Sequence, residues 1–168
     1  MMASLNKSHH SRENNKMKRL VASMSLAAAT LIGALQVSAA PLTAMDYIEI
    51  EQLYAQYNHA IDSGDAKGYA YTFVEDGTFN NFKGHQQLID FVTRYTEKMN
   101  GAKRRHWNTN LRITGDSDAV EASVYLMMLD LSTETTAIST SAKYNDTLVK
   151  TADGWRFKTR KTTSDRPR

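Results

Sequence analysis

The sequence contains no cysteine, and only two prolines and eight glycines among its 168 residues. The lack of cysteine excludes a disulfide framework, a thiolate nucleophile and any cysteine-ligated zinc site. So little proline and glycine excludes collagen-like and low-complexity chains. The rest is an ordinary globular balance, with 41% hydrophobic and 23% charged residues in a length typical of one domain.

Positive charge is concentrated at the N-terminus. The whole chain has a formal net charge of +3, but residues 1–39 hold five of its basic residues and only one of its acids. Residues 40–168 keep 16 basic and 17 acidic residues, a net charge of −1. Because the body of the chain is not basic, we expect no nucleic-acid partner.

The N-terminal segment has the pattern of an export signal. Lys18 and Arg19 precede an apolar run that ends at Leu35, and Val37-Ser38-Ala39 places small residues where a signal peptidase cleaves. The apolar run is short for a transmembrane helix and has no basic flank after it. An uncleaved anchor and a mitochondrial-type presequence remain alternatives.

We therefore predict a signal peptide over residues 1–39 and a single mature domain over residues 40–168. Met17 is an alternative translation start, because residues 1–16 are polar and show no pattern. The predicted location is the periplasm, with no stable membrane insertion after cleavage.

Hydrophobic periodicity predicts helices first and strands afterwards. Apolar residues at three- and four-residue steps predict a first helix that is capped by Asp46, has Glu49 in the capping-box position and stops around Asp62. The further predicted elements are helices over 66–73 and 84–100, a strand over 78–82, and long strands over 103–114, 119–133, 137–151 and 155–163. Because helices and strands are segregated, we predict an α+β fold with an antiparallel sheet.

Two polar features stand out as candidate chemistry. Asp62 ends the first helix, where the helix dipole disfavours a carboxylate. Strand alternation places His106, Asn108 and Asn110 on one face, and this face is too polar for a dry core. The alternatives are an exposed loop aspartate and a solvated strand face.

Other candidates are weaker. The apolar face of the first helix carries two phenols, Tyr54 and Tyr57, and Asp130 lies among apolar neighbours on a later strand. The final strand places Arg156, Lys158 and Arg160 on one face, which is also how an edge strand is protected. Three histidines, His59, His85 and His106, lack any short metal-ligand spacing, so we predict no metal site.

Five segments, taken in order, resemble the SnoaL-like branch of the nuclear-transport-factor-2-like (NTF2-like) superfamily. They are Ile50-Glu51-Gln52-Leu53-Tyr54, Phe73-x-x-Asp76-Gly77-Thr78-Phe79, Gly84-His85, His106-Trp107-Asn108-Thr109-Asn110-Leu111 and Asp153-Gly154-Trp155-Arg156-Phe157. Members of this superfamily include scytalone dehydratase, bile acid 7α-dehydratase, the hexachlorocyclohexane dehydrochlorinase and ketosteroid isomerase. The resemblance implies a cone, in which a curved antiparallel sheet wraps around three helices of the N-terminal half.

The resemblance also implies roles for particular residues. It pairs Asp62 with His106 as a catalytic dyad, in which the histidine is the base. It implies that Tyr57 donates to an oxyanion or a leaving hydroxyl, and that Arg160 binds substrate and stabilises negative charge. The residues that we expect to bind substrate around them are Tyr54, Asn108, Tyr125 and Asp130.

The predicted function is that of a cofactor-independent lyase. The dyad would remove a carbon-bound proton from a small hydrophobic, cyclic or aromatic substrate, which then eliminates water, halide or a one-carbon fragment. A ketosteroid-isomerase-like isomerase and a non-catalytic ligand-binding domain remain alternatives. We also expect a homodimer or homotrimer, because alternation places Trp107, Leu111 and Ile113 on the sheet face opposite His106.

Overall fold

The computed structural model describes residues 39–101 and 103–166, so the predicted signal peptide falls almost wholly outside the described residues. Helices and strands are numbered separately in chain order. The helices are α1 Ala44–Ser63, α2 Ala66–Tyr71 and α3 Gly84–Met99. The strands are β1 Phe73–Phe79, β2 Phe82–Lys83, β3 Arg104–Gly115, β4 Val120–Asp130, β5 Ala137–Thr151 and β6 Gly154–Ser164.

Helix α1 begins three residues before the predicted start, because its cap is Thr43 and not Asp46. Thr43 is its N-cap, and the side chains of Thr43 and Asp46 each accept a hydrogen bond from the other's backbone N–H. Asp46 is therefore the third helical residue and not the cap, and Glu49 takes no part in the capping box. The helix ends as predicted, because Gly64 adopts the left-handed conformation at φ 75°.

Asp46 also connects the start of α1 to the β5–β6 hairpin. The Lys150 ammonium donates to its carboxylate at 2.7 Å, and the Trp155 indole N–H donates at 3.0 Å. These bonds, Lys150 first and then Thr43 and Trp155, hold the pKa of the Asp46 carboxyl well below its ordinary value. A buried carboxylate is thus stabilised where the helix meets the sheet.

The six strands form one curved sheet in the order β2-β1-β6-β5-β4-β3. Neighbouring strands are antiparallel except β1 and β6, which are parallel, so the sheet is mixed where an antiparallel one was predicted. This parallel pair forms because β6, the last strand, inserts between β1 and β5. Residues 75–77, which precede the strand predicted over 78–82, lie within β1, where the pairing with β6 is irregular.

A bulge in β3 changes which side chains face the core. The pairing with β4 shifts between Thr109 and Arg112, and Asn110 there has a left-handed backbone with φ 56°. Beyond the bulge, Leu111 and Ile113 pack against the core. The prediction that these two residues lie opposite His106 was therefore wrong, since it assumed unbroken alternation.

A second irregularity changes the orientation of Arg160 in β6. Thr147 pairs with Thr159 while Leu148 pairs with Phe157, which leaves Lys158 as an extra residue. Arg160 is consequently buried completely, whereas Lys158 bonds Asp76 at the surface. The prediction that Arg160 lies on the same strand face as Lys158 was therefore wrong.

The core lies between the helices and the inner face of the sheet and is rich in aromatic side chains. Tyr69, Phe73 and Phe157 are buried there together with Leu148. Among the described residues, the helices include none that combines the length and the apolar character needed to cross a membrane.

Candidate active site

Asp62 and His106 are in direct contact. The His106 ring Nδ1 lies 2.6 Å from Asp62 Oδ1, and the His106 backbone N–H also donates to the Asp62 carboxylate at 3.1 and 3.2 Å. The two side chains are only 9% and 10% exposed. The contact expected from the sequence is therefore present, while the catalytic roles of the two residues stay a prediction.

The fold explains why these two residues meet. Asp62 is the next-to-last residue of α1, and β3, the strand that carries His106, is the outermost strand on its side of the sheet. An edge strand leaves alternate backbone N–H groups without a strand partner, and the carboxylate accepts one of them. The bonds from His106 compensate for the unfavourable position of a carboxylate at a helix C-terminus.

The contact with Asp62 determines which nitrogen of the His106 ring carries the proton. An ionised carboxylate only accepts hydrogen bonds, so the His106 Nδ1 atom carries the proton of the 2.6 Å bond. Within the described residues, no group bonds the Nε2 atom of the same ring. A neutral ring held in this way has its free lone pair on Nε2, where it can accept a proton.

Tyr95 lies beside the dyad, with its ring 6.4 Å from the His106 ring, centroid to centroid. Its hydroxyl donates to the Met128 sulfur at 3.6 Å. Burial, and then the negative charge of Asp62, raises the pKa of Tyr95. Tyr95 is therefore a neutral residue beside the dyad at physiological pH.

A cleft of about 780 Å³ lies between α1 and the edge of β3. Asp62, His59 and Asn58 line it from the helix, and His106 and Trp107 line it from the strand. A smaller groove of about 310 Å³ is lined by Tyr54, Leu111 and Val124, among others. The larger cleft lies within the 300–1,000 Å³ range of small-molecule sites.

Asn108 is the one predicted substrate-binding residue that lines the cleft with the dyad. Its side-chain oxygen accepts a 2.7 Å bond from Asn58 of α1. Tyr54 lines the smaller groove, but its hydroxyl is buried and donates to Asp146. Burial, followed by the charge of Asp146, raises the pKa of Tyr54 far above its ordinary value.

Tyr57 and Arg160, which were predicted to be catalytic, are both buried in the core. Arg160 forms a two-pronged ion pair with Asp146, at 2.9 Å from Nε and 2.7 Å from Nη2. Its Cζ atom lies 4.1 Å from the Tyr57 ring centroid and 3.9 Å from that of Phe157. Neither residue lines the cleft, so their contact with substrate stays a prediction that the cleft geometry does not support.

The charge of Arg160 is maintained by its partner. Burial disfavours the guanidinium cation, but the charge and hydrogen bonds of Asp146, together with Tyr57 and Tyr54, outweigh burial and raise the pKa of Arg160 above its ordinary value. The Nη1 atom is buried without a hydrogen-bond partner in the described residues. Arg160 and Asp146 are therefore a charged pair within an aromatic core.

The other two predicted substrate-binding residues lie away from the dyad. Tyr125 is 52% exposed on the outer face of the sheet, because it alternates with the buried Leu126. Asp130 ends β4, where it pairs with Arg104 and accepts a hydrogen bond from Ser132. Neither lines the cleft, so the structure assigns both to other surroundings.

The three histidines do not converge on one point. His85 contacts Tyr71, and its Nε2 atom lies 3.0 Å from the Phe73 carbonyl oxygen, away from the cleft. His59 is exposed at the cleft wall. Across residues 39–101 and 103–166, the structure places no group of three or more metal-binding side chains together.

Sequence reasoning missed Asn58 and Asp146. Asn58 precedes Asp62 by four residues, so helical spacing alone could have placed both on one face. Asp146 follows Ala142 and Tyr144 at two-residue steps, and Leu148 continues the series. An aspartate in such an apolar alternation signals a buried, paired carboxylate.

Comparison with known proteins agrees with this architecture. A model of the SnoaL-like domain matches residues 43–161. A protein from Catenulispora acidiphila, solved in complex with S-DNPA, is 31% identical with a TM-score of 0.66, and the match covers 73% of this chain and 96% of that one. ActVI-ORFA from Streptomyces coelicolor is 25% identical with a TM-score of 0.67, covering 74% and 98%.

A third solved structure bears on the fold alone. An NTF2-like protein with a cystatin-like fold from Novosphingobium aromaticivorans is 23% identical with a TM-score of 0.65, over 74% of this chain and 84% of that one. No protein with a curated description matches. The predicted α+β, NTF2-like fold is confirmed. On the domain match, the 31% identical structure and the fold, this chain belongs to the SnoaL-like family of the NTF2-like superfamily.

Proposed function

We propose that this SnoaL-like domain is a cofactor-independent lyase whose base is His106. The observation that carries the proposal is the 2.6 Å bond from the His106 ring to Asp62 at the wall of a large cleft. This bond fixes the ring tautomer and leaves Nε2 as the proton acceptor. A carboxylate behind the ring also stabilises the imidazolium that forms when the proton is taken.

The proposed reaction is an elimination. His106 Nε2 takes a proton from a carbon atom that a neighbouring carbonyl or aromatic system acidifies. The electrons of the C–H bond become a carbon–carbon double bond, and the leaving group departs with the electrons of its own bond. Halide leaves as the anion, whereas a hydroxyl group leaves as water and a one-carbon fragment leaves in protonated form, each after taking up a proton from the His106 imidazolium or from solvent. General-base catalysis of this kind contributes about 10²–10⁴ to the rate.

The cleft supports a small cyclic or aromatic molecule as the substrate. Its volume of about 780 Å³ suits a molecule of one to a few rings, and Trp107 and Met127 give its wall an apolar part. The relative from Catenulispora acidiphila was crystallised with a small molecule, S-DNPA.

The test is turnover without any added cofactor. The purified protein is incubated in deuterated water with hydroxylated or halogenated cyclic ketones and aromatic compounds, and products are followed by mass spectrometry. We expect loss of the leaving group, together with deuterium exchange at the acidic carbon, and neither with the His106→Ala variant. A shifted double bond with nothing lost would identify an isomerase. Absence of both turnover and exchange across the panel would favour a binding domain.

A further inference from the structure

A second polar pair lies next to the dyad on the same two elements. Asn58 of α1 donates from Nδ2 to the side-chain oxygen of Asn108 on β3, at 2.7 Å. Asn58 precedes Asp62 by one helical turn, and Asn108 follows His106 by two residues on the same strand face. Both asparagines line the large cleft and also the smaller groove beside it.

This pair is only half satisfied. Two carboxamides that face each other can exchange two hydrogen bonds, but here only one is made. Among the described residues, Asn58 Oδ1 and Asn108 Nδ2 are shielded from solvent and have no partner. Rotating both amides by 180° exchanges their roles and again leaves one acceptor and one donor free. Buried polar groups without partners are rare in native proteins, so this pair requires an explanation.

The spacing of residues along α1 and β3 gives the distance between the unpartnered amide groups and the dyad. One helical turn of four residues is about 6 Å, and two residues of a strand are also about 6–7 Å. The amide pair and the His106–Asp62 pair are therefore stacked about 6 Å apart along the α1–β3 seam. A molecule that places a C–H bond at His106 reaches the amide pair with a substituent on the far side of a single ring.

We propose that Asn58 and Asn108 form a recognition site for a substrate group that both donates and accepts hydrogen bonds. A ring hydroxyl has this character, and so does a carboxamide or a protonated carboxyl group. The proposal rests on the proposed function in taking the cleft as the substrate site. It narrows the substrate class to ring compounds that carry such a polar group on the opposite side of a ring, or of a fused pair of rings, from the acidic C–H.

The specificity that follows differs from that of a purely apolar pocket. A site with buried, unpaired polar groups discriminates strongly against an analogue that lacks the matching group, because its own groups then stay unpaired. Asn58 and Asn108 would thus select among substrates, whereas Asp62 and His106 would carry out the proton transfer.

The experiment compares matched ligands by calorimetry, so that no turnover is needed. The probes are 5-hydroxy-1-tetralone and 5-methoxy-1-tetralone, with 1-tetralone as the unsubstituted reference. We expect the full chain to bind the hydroxy compound about 10- to 100-fold more tightly than the methoxy compound, as for one or two hydrogen bonds to buried groups. Equal dissociation constants for the hydroxy and methoxy compounds would overturn the proposal.

Variants test whether the two asparagines cause the preference for the hydroxy compound over the methoxy compound. In Asn58→Leu/Asn108→Leu, which keeps side-chain volume, the preference should fall to about 1, while 1-tetralone binds at least as tightly as it does to the wild-type chain. Asn145→Leu, at an exposed position of β5, is the matched control and should keep the preference. A preference retained in the double variant would contradict the proposal.

A second variant keeps the test decisive if the double variant fails to fold. Asn108→Asp keeps the shape and the bond from Asn58 but replaces the free donor by an acceptor. The methoxy compound, which can only accept, then loses its hydrogen bond while the hydroxy compound can still donate, so the preference for the hydroxy compound should rise about 10-fold. An unchanged preference in this variant would also contradict the proposal. Failure of the proposed function would instead appear as tight, selective binding without any deuterium exchange, a result that leaves the recognition site intact.

Discussion

At the scale of single residues, the His106 ring and its backbone N–H both bond one carboxylate, that of Asp62. Such a carboxylate determines the direction of the ring as well as its tautomer. His106→Ala removes the base, and Asp62→Asn keeps the shape but permits the wrong tautomer. We expect each variant to lower turnover of an identified substrate by about 10² or more.

The relative loss of turnover in single and double variants tests whether Asp62 and His106 act together. The double variant at Asp62 and His106 should be hardly slower than either single variant, because the residues act as a unit. Tyr57→Phe should be milder, since this residue does not line the cleft. Gln56→Ala, on the exposed side of α1, is the control. Near-normal turnover in both dyad variants would refute the mechanism.

A different prediction concerns Arg160, whose ion pair with Asp146 is fully buried. Arg160→Ala leaves an unpaired carboxylate among aromatic rings, and breaking a buried pair costs about 3–5 kcal/mol of unfolding free energy. Urea denaturation checks this, with Lys158→Ala at the exposed Asp76 pair as a control that should change little. A loss below about 1 kcal/mol for Arg160→Ala would contradict the prediction.

At the scale of elements, the start of α1 is fixed to the sheet through Asp46. The pKa of its carboxyl is lower in the folded state than in the unfolded state. Its contribution to stability is therefore complete above the unfolded pKa, near 4, and is lost as pH falls further. Asp46→Asn should lower the melting temperature at pH 7. Between pH 5 and pH 3, the melting temperature of the variant should fall less than that of the wild type, as measured by thermal denaturation followed by circular dichroism. An equal drop in melting temperature for the wild type and the variant would contradict the prediction and show that other carboxylates dominate the loss of stability in acid.

Elements with a clear period were predictable, and irregular ones were not. The α1 end, α2, α3 and β5 agree closely with the sequence prediction, because capping residues and turns mark their bounds. The dyad contact was predictable from the family resemblance. Bulges at Asn110 and Lys158 were not, because one extra residue reverses the side-chain alternation and nothing in the local pattern marks it. The placements of Leu111 and Arg160 were wrong for this reason.

At the scale of the whole molecule, the outer face of the sheet keeps exposed apolar side chains. Trp107, Tyr125 and Ile138 are 56%, 52% and 54% exposed. We propose that a second copy of the chain covers this face in a homodimer or homotrimer. Light scattering at micromolar concentration should give a multiple of the chain mass, and Tyr125→Lys/Ile138→Lys should give a monomer. Met45→Lys, at an exposed apolar residue of α1, is the control. A monomeric wild type would refute the proposal.

Export is a proposal that rests on the sequence of residues 1–39. The basic pair Lys18-Arg19, the apolar run and Val37-Ser38-Ala39 predict cleavage before Ala40. N-terminal sequencing of the native protein, recovered from the periplasm, should begin near Ala40. An intact Met1 or Met17 in a cytosolic fraction would contradict it.

The position of β6 has a consequence for how the protein is made. The last strand of the chain lies between β1 and β5 and brings Trp155, Phe157 and Arg160 into the core. While a ribosome is still holding these residues, the two halves of the sheet have no strand between them, and Asp146 has no cation beside it. The domain can therefore complete its core only once β6 has left the ribosome. Until then, β1 and β5 each present an unpaired edge with which another extended chain can pair.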